Sequence, residues 1–132
     1  MSKRGQTAMA MKSWDEKPYD EFEGGRKLTR AKVAFGYTGD LEGESALEYL
    51  MAYSPNGDAT YVGLERIIGR VGGRAGSFVI QHTGAFENQA AKDTWFIVPD
   101  SGTGELQGLT GKGDFSISGE GPFPLTFEYE LK

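Results

Sequence analysis

Cysteine is absent from this chain of 132 residues, which excludes disulfides, thiolate nucleophiles and cysteine-held metals and suggests a cytoplasmic home. Histidine occurs once, at His82. One imidazole and no thiolate leave a metal only carboxylates, and no EF-hand loop supplies those, so no metal or other cofactor is expected. Long apolar runs are missing too, and no segment approaches the length of a membrane helix. The opening Met1-Ser-Lys-Arg-Gly-Gln-Thr-Ala-Met lacks the continuous apolar core of a signal peptide. Positive charge is in deficit, with 14 Lys and Arg against 19 Asp and Glu and a net charge of −5. Nucleic acid and anionic membrane are therefore not expected partners. No serine nucleophile elbow is found. Residues 102–113 are glycine-rich, but Gly111-Lys112-Gly113 lacks the Ser or Thr of a P-loop, and no helix follows to receive a phosphate.

What is present is glycine, 20 residues of it, with 5 prolines and 12% aromatics. So many breakers disfavour a helical protein, while the aromatic content disfavours disorder. One domain is expected over residues 8–132, behind a loose N-terminal tail at 1–7. Strands are predicted at 8–15, 28–38, 44–53, 59–71, 74–86, 92–98, 105–117 and 124–131. Between them lie turn signals, notably Gly24-Gly25, Gly39-Asp40, Asn56-Gly57 and Gly72-Gly73. Segment 44–53 contains good helix formers, but it is short and runs into Asn56-Gly57, so strand is preferred. Eight strands joined by tight turns predict an all-β, antiparallel up-and-down barrel, which leaves no open edges.

The turns set a register. A two-residue Gly72-Gly73 loop pairs Val71 with Arg74, Glu65 with Ile80 and Gly63 with His82, so Glu65 and His82 share a face. A two-residue Asn56-Gly57 loop would set Glu48 opposite Glu65, with Gly63 leaving room beside them. A three-residue loop would turn Glu48 to the other face. The candidate chemistry is proton transfer, with Glu65 or Glu48 as base and His82 as partner. A structural histidine and solvated carboxylates are the competing reading. Trp14, Tyr49, Phe78 and Trp95 are candidates to line an apolar ligand pocket, against ordinary core packing. On this register the second face carries Leu47, Tyr49, Met51, Val62, Leu64, Ile68 and Val79. Apolar residues on both faces suggest a covered outer wall, hence a homo-oligomer.

Residues 76–84 (Gly-Ser-Phe-Val-Ile-Gln-His-Thr-Gly), Trp95 and the run 102–111 resemble a bacterial family known as domain of unknown function 3224. Ser13-Trp14-Asp15-Glu16 and residues 48–53 are similar too, although Asp100 stands where the family pattern more often has glycine. The resemblance spans residues 8–131 and implies a calycin-type barrel like that of allene oxide cyclase, whose lumen binds an unsaturated epoxy fatty acid. No established activity comes with the family. The expected function is binding of a small apolar or amphipathic molecule in the lumen, with cyclase or isomerase chemistry as its enzymatic form. The alternative is a non-catalytic oligomerisation module with a filled barrel.

Overall fold

A computed structural model describes residues 2–119 and 121–131. Eight antiparallel strands close into one barrel in chain order: β1 (Lys3–Glu21), β2 (Lys27–Gly39), β3 (Leu41–Tyr53), β4 (Ala59–Val71), β5 (Arg74–Glu87), β6 (Ala90–Ile97), β7 (Thr110–Ser118) and β8 (Phe123–Glu130). Closure comes from β1 pairing with β8, Lys3 opposite Tyr129 through Met9 opposite Phe123. Residues 3–7 are therefore paired strand and not the tail expected for 1–7. Met1 lies outside the described residues.

The β4–β5 hairpin has the expected register. Gly72 and Gly73 both take positive φ, 58° and 85°, as a two-residue primed turn demands. Gly63 stands opposite His82 and Glu65 opposite Ile80. The β3–β4 hairpin does not have the two-residue loop. Ser54 N–H donates to the Asp58 carbonyl at 2.8 Å and Gly57 N–H to the Ser54 carbonyl at 3.1 Å, closing a three-residue loop with Gly57 at φ 92°. One extra loop residue shifts β3 by one place, so Leu47 and not Glu48 faces Glu65. Leu47, Tyr49 and Met51 turn into the lumen, and Glu48 turns out.

The strand predicted at 105–117 begins only at Thr110. Before it, the chain runs alongside the lower part of β5 as a surrogate strand. Oxygens of Ser101, Thr103 and Glu105 each accept a 3.0 Å hydrogen bond, from the N–H groups of Val79, Ser77 and Ala75. Leu106 and Leu109, fully buried, plug that end of the barrel. Their apolar character reflects this capping role, which reads in sequence like a strand.

Four inward glycines let large rings lie against the wall. Gly5 stands opposite Phe127, Gly63 opposite Tyr49, Gly84 opposite Tyr61 and Gly113 opposite Trp95. A Cβ at any of the four would sit 2.4 to 2.6 Å from the facing side chain. The space expected beside Gly63 is therefore occupied by the ring of Tyr49.

Candidate functional site

The lumen has three levels. At the plugged end Ile67, Phe78, Leu106 and Leu109 form a dry core. The middle holds an ionic cluster. The far end, bounded by the β3–β4, β5–β6 and β7–β8 connections, holds a cavity of about 480 Å³.

The cluster is built across β4, β5 and β6. His82 Nε2 lies 2.7 Å from Glu65 Oε1, and Nδ1 lies 3.0 Å from Asp93 Oδ1. Both ring nitrogens face carboxyl oxygens, and the imidazolium, with two N–H donors, satisfies them together. Burial alone would favour the neutral ring, but the hydrogen bonds and charges of Asp93 and Glu65 outweigh it and raise the His82 pKa to about 9. Glu65 Oε2 accepts from Tyr37 at 2.5 Å and Ser45 at 2.6 Å, and Asp93 Oδ2 accepts from Tyr61 at 2.7 Å. Burial, and then the nearby carboxylates, push the Tyr37 and Tyr61 hydroxyls up, so both remain donors. Among the described residues no buried side-chain polar atom lacks a partner.

The structure thus brings Glu65 and His82 together as the register implies, and buries both. Glu48 stands apart on the outer wall, bonded at 2.6 Å to Arg30. Asp93 takes the place expected for it, as the second carboxylate of the cluster. Asp93 reaches His82 because Asn88 and Gln89 form a two-residue turn with both φ positive, 53° and 62°, which sets Trp95 opposite His82. Asn tolerates that conformation and was the available signal; Gln is an unusual second residue, and the turn passes unnoticed in sequence.

The cavity wall includes Met9, Phe35, Tyr49, Met51, Phe115 and Phe123. Of the four aromatic candidates, Trp14 and Tyr49 line it. Phe78 lies in the dry core, and Trp95 is buried over Gly113 with Phe127 beside it, ring centroids 6.4 Å apart. The cluster does not open into the cavity. Tyr49 and Phe115 line the cavity and also stack edge-on to His82, at centroid distances of 6.1 and 6.5 Å. Tyr61, a third shared residue, carries the hydrogen bond to Asp93.

Sequence reading missed Glu16, the charged residue of this wall. Its inward position depends on a β-bulge. Met11 pairs with Phe35 but Ser13 pairs with Ala34, leaving Lys12 as the extra residue. Before the bulge the odd positions Thr7 and Met9 point inward; after it Trp14 and Glu16 do, opposite the inward Val33 and Ala31. Glu16 accepts hydrogen bonds from Tyr53 at 2.5 Å, Thr29 at 2.7 Å and Trp14 Nε1 at 3.0 Å. Partial burial pushes its carboxyl up, but these bonds and the charge of Lys27 prevail and hold it below its ordinary value.

The fold and chain are similar to a crystal structure of a protein of unknown function from Shewanella oneidensis MR-1. Identity is 31%, the TM-score is 0.77, and the match covers 100% of this chain and 98% of that one. No curated protein matches the chain. The profile described as "Protein of unknown function (DUF3224)" matches residues 6–129, as the sequence resemblance implied, and the chain belongs to that family.

Proposed function

We propose that this protein binds a small apolar or amphipathic molecule in the open half of its barrel. The observation carrying this reading is the cavity of about 480 Å³, walled by aromatic and methionine side chains, with Glu16 held in that wall by Trp14 and Tyr53. Ligand pockets commonly span roughly 300–1,000 Å³ and pair apolar walls with a few placed polar groups. Methionine adds a wall that can adjust to ligand shape. Allene oxide cyclase serves as an analogy of architecture only, a closed barrel whose lumen binds a ligand. A cytoplasmic location belongs to the same reading.

Binding is favoured over proton-transfer catalysis for a geometric reason. Tyr49, Tyr61 and Phe115 stand between the cavity and the Glu65–His82–Asp93 cluster, and both nitrogens of His82 are already engaged. A filled structural barrel accounts for the lower two levels but not for the cavity.

The test is titration of the full chain with an environment-sensitive apolar dye, alongside native mass spectrometry of protein purified from its own host. Dye binding is expected to fall at least tenfold in Ala91→Phe, which places a ring in the cavity wall. It is expected to be unchanged in Leu64→Ala on the outer wall. Failure of the folded protein to bind any apolar probe would overturn the proposal.

A further inference from the structure

We infer that the ligand carries a cationic head group on its apolar body, and that this head sits beside Glu16 at the cavity mouth. This rests on the binding reading above and deepens it.

Among the described residues lining the cavity, Glu16 is the single charged side chain, and no lysine or arginine joins it. Its carboxylate is held in place rather than free to swing. Tyr53 and Thr29 both donate to Oε2, while Trp14 Nε1 donates to Oε1. A carboxylate offers about four lone-pair directions, so Oε1 keeps one for a further donor. The same bonds, with the charge of Lys27, hold its pKa below the ordinary value against partial burial and keep the group ionised.

The surroundings have the same electrostatic sense. Trp14 and Tyr53, which bond to Glu16, and Tyr49, whose ring lies 5.9 Å from that of Trp14, all belong to the cavity wall. Aromatic faces attract cations through the ring quadrupole, and quaternary ammonium groups are commonly held this way. Lys27, whose charge acts on Glu16, lies over the Tyr53 ring with Nζ 4.8 Å from its centroid and is not part of the wall. An anionic head at the same depth would meet Glu16 as a like charge and find no cation in the cavity lining. The pocket therefore discriminates by charge sign, against fatty-acid carboxylates and in favour of apolar amines or quaternary ammonium compounds.

The experiment compares three molecules of equal chain length, decyltrimethylammonium, decanol and decanoate, by calorimetry with the full chain at neutral pH and low salt. Decyltrimethylammonium is expected to bind at least tenfold more tightly than decanoate, with decanol between them. Glu16→Gln is expected to bring the cation to the affinity of decanol while leaving decanol unchanged. Glu16→Asp, which keeps the charge, retains the preference and guards against a folding defect in the first variant. Equal or tighter binding of decanoate would overturn the inference, as would a cation preference that survives Glu16→Gln. If decanol binds without any sign preference, the inference alone falls. If none of the three binds, the binding reading falls with it.

Discussion

His82 is the cation that allows two carboxyl side chains to be buried in the middle of the barrel. Glu65 and His82 are 0% and 3% exposed, and Asp93 is equally enclosed, so solvent contributes little screening. Removing one partner of a buried ion pair typically costs about 3–5 kcal/mol, because the charge left behind is uncompensated. His82→Ala is expected to lie in that range by urea unfolding. A pH effect accompanies it. The folded pKa of about 9 lies above the unfolded value of 6.5, so protonation of His82 favours the fold. That stabilisation is complete below about pH 6.5 and is lost as pH rises through 9, about 3 kcal/mol in all. Unfolding free energies measured at pH 6 and pH 9.5 should differ by this order in the wild type. The difference should shrink sharply in His82→Ala; an equal difference in both proteins would refute the assignment. The closeness of Glu65 and His82 is legible from the Gly72-Gly73 turn alone. Asp93 is not, because its placement hangs on an Asn-Gln turn with a weak signature.

Elements are aimed by single-residue irregularities. In a strand, one extra residue exchanges the inner and outer faces. The three-residue loop after β3 does this to Glu48 and Tyr49, and the bulge at Lys12 does it to Trp14 and Glu16. Composition and alternation predict that these segments are strands, but not which face looks inward. Glycine placement adds a second control. A Cβ on Gly63 would lie 2.6 Å from Tyr49 Cδ1 and 2.9 Å from the Glu48 carbonyl. The carbonyl belongs to the ladder and cannot retreat, so the Tyr49 ring must move toward the cavity. Gly63→Ala is expected to cost about 1–3 kcal/mol through overpacking. It should also weaken dye binding severalfold, which Gly73→Ala at the distant turn should not. Thermal melts and dye titrations of the two variants check this.

At the scale of the molecule, the barrel is half filled and half open. The long 98–109 segment plugs one end, so the cavity is reached from the other. Among the described residues, the β7–β8 pairing runs from Thr110 to Lys112, against Glu130 to Glu128, and Phe115, Ile117 and Phe123 line the cavity. Outside, Leu50, Val62 and Leu64 are 49% to 56% exposed on neighbouring positions of β3 and β4, and Ile68, 57% exposed, follows beyond Arg66. Exposed apolar side chains on a closed outer wall are the physical basis for the self-association expected from sequence. Light scattering at micromolar concentration should give a mass above that of one chain, and Leu64→Glu should reduce it. A monomeric mass for the wild type removes the expectation. Leu47, Tyr49 and Met51, which a two-residue Asn56-Gly57 loop would set on the face of Val62, Leu64 and Ile68, belong to the lumen.

The sequence by itself determined the class of the fold. Regularly spaced turn residues, alternating apolar segments and one unambiguous Gly-Gly hairpin suffice for an eight-stranded barrel, because each acts locally through backbone sterics and period-two alternation. It also carried the family resemblance and the pairing of Glu65 with His82. Only the tertiary structure decided which faces point inward, because that depends on one-residue offsets at a loop and a bulge. It decided too that the His82 cluster is sealed from the cavity by rings contributed from β3, β4 and β7. And it alone brought Glu16 into the mouth, where Trp14, Thr29 and Tyr53, from three different strands, converge on one carboxylate.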